Sequence, residues 1–426
     1  MPLFRSLAII LLFGFASSAA TAQLNVQGVT IIEAPSNFEF VDMGYDPITD
    51  EVGIVGSVIN GTERTATVFE LNPGGDDFTT QTLEDLPGAT SNAEVFGISS
   101  DATRIAGSSS SNNSDSEGTT WLRSSPNSPT GIGFVNGNIL NNSSAAGAWK
   151  DGVVGNSGSA LNAIIWDTQN GIQALPGTEG EVAGARDVSS NGEITVGVSS
   201  HEVFQGAAYF WDSNGINRLN DNIEGFTLIQ SVAKAISPNG NYIGGEIVAI
   251  DTLDNFKVFP VVWEGAQRTL RVLTDSNGDF IQGTVNDVSD LGYAVGSFFD
   301  ASFNAFGFIW NPEFTNGVRL FEDWLEEESP GVNFSFDSIN VDSIASGNGK
   351  LFFTVLSNIG EFALVEMVFD VELGDVNQDG DVNFLDISPF INVLSTGEYQ
   401  IEADVDQSGE VNFLDISPFI QVLSSN

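Results

Sequence analysis

Cysteine is absent from the 426-residue chain, and histidine occurs once, at position 201. Disulfides therefore contribute nothing to stability, and zinc or iron–sulfur sites built from thiolates or from several histidines are excluded. Lysine and arginine are also scarce, with 13 residues against 57 acidic ones and a formal charge of −44. Because phosphate recognition needs clustered cations, we expect no nucleic-acid partner. Such acidity instead attracts divalent cations.

Long apolar runs are scarce too, and the longest one lies at the N-terminus. Arg5 precedes an apolar run over residues 7–16, and Ala-Thr-Ala at residues 20–22 provides small side chains at a cleavage position. This pattern predicts a secretory signal peptide over residues 1–22, because the run is too short to span a membrane. We therefore expect a secreted protein, extracellular or associated with the cell surface, without a membrane span.

An internal repeat dominates residues 23–372. Each copy contains a small or acidic residue, an apolar residue, Ser, a turn, and an apolar strand that usually ends in Gly, as in residues 187–197 and 287–296. Short alternating strands punctuated by Gly and Asn indicate β structure. An aromatic residue anchors a later strand of the copies; these anchors are Phe69, Trp121, Trp166, Trp211, Trp263 and Trp310. Their spacing gives a period of about 48 residues.

A β unit of this length has the size of a propeller blade, and one unit cannot bury its faces alone. Seven copies predict a mainly β fold, a β-propeller of about seven blades, followed by a small α-helical module at the C-terminus. Residues 24–34 match no complete unit. We predict that they supply the missing outer strand of the seventh blade, next to residues 362–368. A six-blade ring and an open β-solenoid are the alternatives.

The repeats resemble the extracellular repeats named after the tripeptide His-Ala-Phe, whose units combine an Ala-Phe-x-Trp strand with an Asp-Val-Ser-x-Asp-Gly turn. Ala-Phe-Gly-Phe-Ile-Trp at residues 305–310 and Asp-Val-Ser-Ser-Asn-Gly at residues 187–192 carry the similarity. The histidine is missing from the anchor strands. The resemblance implies a secreted β-repeat scaffold and no defined reaction.

The residues that carry chemistry are concentrated in residues 373–426. The decapeptide Val-Asn-Phe-Leu-Asp-Ile-Ser-Pro-Phe-Ile occupies both residues 382–391 and 411–420, and each copy overlaps the end of an acidic loop. Calcium takes about six to eight oxygen ligands, which a loop of about 12 residues supplies from positions 1, 3, 5, 7, 9 and 12. The predicted ligands of two Ca²⁺ ions are Asp375, Asn377, Asp379, Asp381, Asn383 and Asp386 in the first loop and Asp404, Asp406, Ser408, Glu410, Asn412 and Asp415 in the second.

Two units, each a loop followed by a helix but with no helix before the loop, resemble a type I dockerin of the EF-hand type. The sequence of the tail is similar to dockerin-like tails of secreted planctomycete proteins. The resemblance implies a cohesin-like or other cell-surface receptor as partner. At loop positions 10 and 11, where cellulosomal dockerins often carry Ser-Thr in contact with cohesin, this chain has Phe384-Leu385 and Phe413-Leu414. We predict that these four residues either bind the partner or pack between the two helices.

Two functions from different classes fit these patterns. The first is a non-catalytic binding or scaffold protein displayed through the tail, with polysaccharide or protein as candidate ligands of the propeller. The second is a polysaccharide hydrolase or lyase docked through the same module. Among 57 acids a pair suited to glycoside hydrolysis arises by chance, and no nucleophile elbow, P-loop or dinucleotide fingerprint is present. We favour the non-catalytic function, and the sequence assigns no catalytic residue for the enzymatic alternative.

Overall fold

A computed structural model describes most of the chain. The described residues are 26–33, 37–46, 49–60, 63–71, 78–89, 92–135, 142–158, 162–176, 182–200, 206–300, 304–315, 317–330, 339–347, 349–357, 362–369, 373–376, 382–396, 400–406 and 411–425. The predicted signal peptide lies outside them. Their main feature is a seven-blade β-propeller in which each blade is a four-stranded antiparallel sheet.

Blades 1 to 6 are meanders whose strands follow one another from the inner to the outer edge. Blade 1 contains β2 (Phe38–Asp46), β3 (Glu51–Asn60), β4 (Glu63–Leu71) and β5 (Phe78–Thr82). Blade 2 contains β6 (Glu94–Ile98), β7 (Arg104–Ser109), β8 (Glu117–Leu122) and β9 (Ser125–Gly131). Blade 3 contains β10 (Ser143–Trp149), β11 (Gly152–Ser157), β12 (Asn162–Asp167) and β13 (Gly171–Ala174).

The second half of the ring repeats this order. Blade 4 contains β14 (Ala183–Val188), β15 (Thr195–Ser199), β16 (Ala207–Asp212) and β17 (Gly215–Arg218). Blade 5 contains β18 (Thr227–Ile236), β19 (Tyr242–Ile250), β20 (Phe256–Glu264) and β21 (Thr269–Val272). Blade 6 contains β22 (Gln282–Val288), β23 (Ala294–Phe299), β24 (Ala305–Trp310) and β25 (Arg319–Leu320), and α1 (Phe321–Glu328) follows it.

Blade 7 joins the two ends of the propeller sequence. Its strands are β26 (Ile339–Gly347), β27 (Lys350–Ser357) and β28 (Phe362–Phe369), and the outer strand is β1 (Val26–Glu33). β1 pairs antiparallel with β28 from Val26↔Phe369 to Glu33↔Ala363. The prediction that the N-terminal segment closes the seventh blade is confirmed, and the alternatives of six blades and an open solenoid are wrong.

The hydrophobic core lies between blades rather than within them. Seven clusters of buried side chains occur in the described propeller, one at each blade–blade interface. Val68 of blade 1 meets Trp121 of blade 2, and Ile54 of blade 1 meets Phe352 of blade 7. A blade therefore has no core of its own, as expected for a repeat unit that is stable only when stacked.

The glycine that ends the repeat motif allows two strands to approach closely. In six blades it lies on the second strand opposite a β-bulge of the inner strand, where an added Cβ would collide with an inner-strand carbonyl oxygen; these residues are Gly56, Gly107, Gly155, Gly197, Gly245 and Gly296. Blade 7 has Val355 at this position. The glycine therefore marks the bulge, which the sequence pattern did not show.

The serine and the tryptophan of the repeat fix the turns. The buried Oγ of Ser99, Ser189 and Ser237 accepts a hydrogen bond at 2.9–3.0 Å from the backbone N–H five residues later. The indole Nε1 of Trp121 donates to the carbonyl oxygen of Glu84 at 2.8 Å, and Trp263 donates to that of Asn220 at 2.6 Å. Each hydrogen bond satisfies a buried polar group, so the motif is explained by the fold.

Deleting residues 24–34 is expected to destabilise the whole propeller. Val29, Ile31 and Ile32 of β1 pack into the clusters that join blade 7 to blades 6 and 1. The loss of these three side chains alone should lower the free energy of unfolding by at least about 4 kcal/mol. Chemical denaturation followed by tryptophan fluorescence measures this, with deletion of residues 1–22 as the control. A deletion variant as stable as the full chain would contradict closure by β1.

Candidate functional site

The first candidate site is the pair of acidic loops in the tail. The structure describes Asp375, Asn383 and Asp386 of the first loop and Asp404, Asp406, Asn412 and Asp415 of the second. Asn377, Asp379, Asp381, Ser408 and Glu410 lie outside the described residues. The carboxylates at positions 1 and 12 are buried in both loops; these residues are Asp375, Asp386, Asp404 and Asp415.

Positions 9 and 12 of each loop also start the following helix. In the first loop the Asn383 side chain accepts from the Leu385 N–H at 2.8 Å, and the Asp386 side chain accepts from the Asn383 N–H at 2.8 Å. In the second loop Asn412 and Asp415 repeat both hydrogen bonds, each at 2.8 Å. This reciprocal arrangement is a capping box, so each loop is locked to the helix that follows it. These helices are α2 (Ile387–Thr396) and α3 (Ile416–Ser425).

The second loop brings three carboxylates together. Oxygen atoms of Asp404, Asp406 and Asp415 all lie within 4.8 Å of one another. Burial and the neighbouring Asp406 raise the pKa of Asp415 above its ordinary value, although its hydrogen bonds from Asn412 and Asp406 oppose this. Like charges this close repel unless a cation lies between them, and hard oxygen ligands suit calcium. The described residues of this loop therefore fit a calcium ion.

The two helices share a small apolar core. The rings of Phe390 and Phe419 stack at 4.0 Å between centroids and 9° between planes. Val376, Val393 and Val405 are buried around them. The stacked rings come from equivalent positions of the two decapeptides, so the two repeats pack against each other through the same residue.

Phe384-Leu385 and Phe413-Leu414 lie outside this core. Phe384 and Phe413 are 81% and 82% exposed, and Leu385 and Leu414 are 66% and 69% exposed. The prediction that they pack between the helices is wrong, because that space is filled by the stacked Phe390 and Phe419. The remaining prediction for these four residues is partner binding. Exposed large apolar side chains in a repeated arrangement are typical of an interaction surface.

The second candidate site is the central channel of the propeller, where three carboxylates face one another. Asp42, Asp187 and Asp287 follow the bulge of the inner strands β2, β14 and β22. Each accepts the backbone N–H of the next residue at 2.7–2.8 Å. Each also accepts a backbone N–H of the following blade, from Ile98, Ile236 and Ile344, at 2.8–2.9 Å. These carboxylates therefore link neighbouring blades.

Burial and mutual repulsion act on the channel carboxylates. Burial raises the pKa of Asp187 to about 7 and that of Asp287 to about 6. Burial and the charge of Asp287 also raise the pKa of Asp42. These residues were not among the predicted site residues, although the acidic residue before the apolar-Ser pair at 187 and 287 is a usable sequence signal.

A structural role accounts for this cluster better than a catalytic one. The three aspartates repeat one geometry in three blades, whereas a catalytic pair needs unlike environments that separate the two pKa values. The cavity that they line has a volume of about 60 Å³. Pockets that bind small molecules usually measure about 300–1,000 Å³, so a polysaccharide cannot reach between these carboxylates.

Comparison with known protein families identifies the tail. Residues 373–424 match the family model described as a dockerin type I domain. No relative was found among curated protein sequences. The structure describes no helix that is long and apolar enough to cross a membrane.

Several solved structures are similar to the chain at low identity. A putative TolB from Agrobacterium tumefaciens is 16% identical with a TM-score of 0.38, over 60% of this chain and 89% of that one. The β-propeller domain of the Trilobed protease from Pyrococcus furiosus is 11% identical with a TM-score of 0.45, over 81% and 94%. Prolyl oligopeptidase B from Galerina marginata is 12% identical with a TM-score of 0.44, over 77% and 49%.

The propeller is expected to gain stability as the pH falls from 8 to 6. The pKa values of Asp187 and Asp287, about 7 and about 6, exceed the value of about 3.9 for an unfolded Asp, so folding takes up protons in this range. A full proton taken up contributes about 1.4 kcal/mol per pH unit. Chemical denaturation at a constant calcium concentration measures how the free energy of unfolding changes with pH.

Asp187→Asn should flatten this pH dependence, because the amide does not take up a proton on folding. Asp275→Asn is the matched control, because Asp275 is a half-buried turn residue whose pKa is lowered by hydrogen bonds from Asp279 and Asn277. If the free energy of unfolding changes equally with pH in wild type and Asp187→Asn, Asp187 is not a group that takes up a proton on folding.

Proposed function

We propose that this chain is a secreted, non-catalytic binding or scaffold protein whose propeller is displayed through a calcium-dependent docking module. In this proposal residues 1–22 are a signal peptide, residues 23–372 form the propeller, and residues 373–426 form the module. The observation that carries it is the tail: duplicated acidic loops that each expose an identical Phe-Leu pair just before the helix that follows.

The propeller supports a binding role rather than catalysis. Its clustered acids follow the repeat and bond to neighbouring blades through backbone N–H groups, as at Asp187 and Ile236. A polysaccharide hydrolase or lyase needs catalytic side chains exposed in an open cleft. The small cavity between these acids does not provide such a cleft. Polysaccharide and protein remain the candidate ligands of the propeller surface, and the proposed location is outside the cell.

Two calcium ions are proposed, one for each loop. Positions 1 and 12 are buried carboxylates in both loops, and the capping boxes repeat atom for atom. A module of this size has a small core, so the ions should supply much of its folding free energy. Calcium binding then controls the loops that carry the exposed Phe-Leu pairs and the helices that follow them.

The full chain should bind two Ca²⁺ ions by isothermal titration calorimetry. Asp404→Ala is expected to leave one ion, and the double variant Asp375→Ala/Asp404→Ala none, because each removes the buried carboxylate at position 1. Chelator should remove the α-helical circular dichroism signal of α2 and α3, and Mg²⁺ should replace Ca²⁺ poorly because it requires octahedral geometry. Asp275→Ala, at a half-buried turn residue of the propeller, is the control. A chelated chain with unchanged helix signal and no calcium uptake would refute the proposal.

The docking surface is proposed to consist of two equivalent apolar patches. The first contains Phe384, Leu385 and Ile391, and the second contains the corresponding residues Phe413, Leu414 and Ile420. Ile391 and Ile420 are each 58% exposed, so the equal exposure of corresponding residues in the two patches continues onto the helices. An apolar receptor surface would bury these side chains, and their aromatic members are typical anchors of protein interfaces.

Purified cohesin modules on a biosensor surface test the docking surface. The full chain should bind at least one cohesin in calcium and none in chelator. Phe384→Ser/Leu385→Ser/Phe413→Ser/Leu414→Ser should weaken binding at least about a hundredfold, because four apolar side chains lose their contacts. Phe256→Ser/Leu253→Ser, at exposed apolar positions of the propeller, is the control. Undiminished binding of the fourfold variant would exclude the two patches as the docking surface.

A further inference from the structure

The third strand of blade 5 extends beyond the strand that covers its outer side. In blades 2, 3 and 4 the residue after the fourth strand donates its backbone N–H to the second residue of the third strand, as Leu219 does to Ala208 at 2.9 Å. In blade 5 the corresponding N–H, that of Leu273, reaches Pro260 at 3.0 Å, which is the fifth residue of β20. Residues 256–259 of β20 therefore have no fourth strand beside them. We call the outer side of these four residues the open edge.

Two residues of the open edge direct their backbone groups outwards. At the hairpin between β19 and β20, the Asp251 N–H donates to the carbonyl oxygen of Asn255. Hydrogen-bonded pairs alternate along an antiparallel ladder, so every second residue of β20 bonds to β19, beginning with Lys257. The N–H and C=O groups of Phe256 and Val258 consequently point away from β19. Among the described residues, none bonds to them on that side.

Blade 1 has a similar extension, but a side chain caps it. Its third strand β4 begins three residues before Ala66, which accepts the Leu83 N–H. The Asn92 side chain donates to the carbonyl oxygen of Arg64 and so occupies the outward position there. Proteins commonly cover or shorten such edges, because an unpaired edge is a template for pairing with another chain. The open edge of blade 5 has no capping side chain in the described part of the chain.

The chain that follows β21 flanks the open edge instead of covering it. Thr274 pairs with Phe280 in an isolated bridge, so the chain leaves the side of β20 directly after Leu273. The Phe280 ring lies 5.3 Å from that of the buried Phe259, measured between centroids. Phe280 is 51% exposed, and Phe256 is 68% exposed. Because Phe256 and Phe259 lie on opposite faces of β20, exposed aromatic rings flank the open edge on both faces.

Acidic residues lie at both ends of the open edge. Asp251 and Asp254 belong to the turn that precedes β20. Asp275 and Asp279 belong to the turn that follows β21. Lys257 is the one cation among residues 256–259. A second copy of this chain would bring the same acids, and a formal charge of −44, against these. The charges therefore favour a cationic segment over a second copy.

We propose that the open edge of blade 5 binds an extended peptide segment of a partner protein, with cationic residues at its ends and apolar residues between them, as an added strand. This names a ligand class within the proposed binding function of the propeller and rests on that function. An N–H and a C=O at every second residue match the backbone of a β-strand, so main-chain hydrogen bonds to Phe256 and Val258 supply the affinity. The exposed rings and the acids supply the selectivity.

The probe is the fluorescein-labelled peptide Lys-Thr-Val-Thr-Val-Thr-Lys, and the same peptide with Glu in place of both Lys is the matched ligand. Fluorescence anisotropy with the full chain in calcium should show saturable binding of the lysine peptide. The glutamate peptide should bind at least about tenfold more weakly, because its charges face like charges. Hydrogen-exchange mass spectrometry should show at least about tenfold slower exchange of residues 254–260 in the complex, since a paired amide is protected.

Val258→Pro should weaken binding of the lysine peptide at least about tenfold, because it removes an outward N–H and leaves a carbonyl of the peptide without a donor. Proline is tolerated at an edge position whose N–H does not bond within the sheet, as at Pro260. An unchanged denaturation midpoint shows that the variant is folded. Val258→Thr keeps both the N–H and the β-branched shape, so it should bind like wild type.

Val272→Pro is the matched control. Leu273 bonds to β20, so the alternation places the N–H of Val272 on the other side of β21, at the outermost edge of the blade. This variant also removes an outward N–H and should bind the lysine peptide like wild type. Equal losses for Val258→Pro and Val272→Pro, equal binding of the two peptides, or unchanged exchange of residues 254–260 would overturn the assignment of the open edge.

Other occupants of the open edge give different results. A dimer in sedimentation velocity that Val258→Pro abolishes would assign the edge to a second copy of this chain and overturn the peptide. Slower exchange of residues 254–260 with a neutral polysaccharide, and none with the lysine peptide, would overturn it in favour of a glycan.

A further measurement separates this proposal from the proposed function. Reducing-sugar release from neutral and acidic polysaccharides is followed in the same samples. Sustained release that one Asp or Glu substitution abolishes would overturn the non-catalytic function. Absence of release together with absence of peptide binding would overturn the open edge alone.

Discussion

The packing of blades against one another is the constraint on which the rest of the propeller depends. A four-stranded blade has two apolar faces and no interior, so its side chains are buried only when a blade lies on each side of it. The clusters that join Val68 to Trp121 and Ile54 to Phe352 show the same interface at the first junction and at the point of closure. Because the ring has no end, the N-terminal strand β1 must complete the blade that the C-terminal strands begin. Without disulfides, this pairing is the device that holds the two ends together.

Sequence patterns predicted the number of blades and the closing strand because both depend on apolar residues that recur at a fixed period. They did not predict the reason for each conserved position within a copy of the repeat. Gly197 permits the close approach of the bulged inner strand, and the Ser189 hydroxyl accepts a backbone N–H of its turn. The Asp187 carboxylate accepts a backbone N–H of the next blade. The partner of Asp187, Ile236, lies about 50 positions away, so a local pattern shows that the position matters without showing its partner. The partners of Ser189 and Gly197 lie in the same blade, at Ile194 and Gly184, but the pattern does not show the pairing register that brings them together. Helix α1 was also missed, because its eight residues are short for a periodicity argument.

In the tail, too, the sequence pattern marked the important positions without showing which residues they contact. Loop spacing predicted the ligand positions, since calcium coordination fixes which residues of a loop face the ion. Each decapeptide contains two phenylalanines, however, and sequence alone could not tell which would be buried. The capping box begins the helix so that Phe390 and Phe419 meet, while Phe384 and Phe413 remain outside. The same hydrogen bonds that complete the loop therefore also decide which aromatic residues stay exposed.

A repeat fold places its variable chemistry where packing does not restrict it. Residues between blades are held to small or apolar types, because each one touches a neighbouring blade as well as its own strands. A bulge residue has no pairing partner on the second strand, and Phe96 and Arg186 occupy equivalent bulge positions in blades 2 and 4. Repeats are recognised by the positions at which the copies agree, such as Gly107 and Gly197. The bulge positions, at which the copies differ, become recognisable as equivalent only through the strand register of the folded ring.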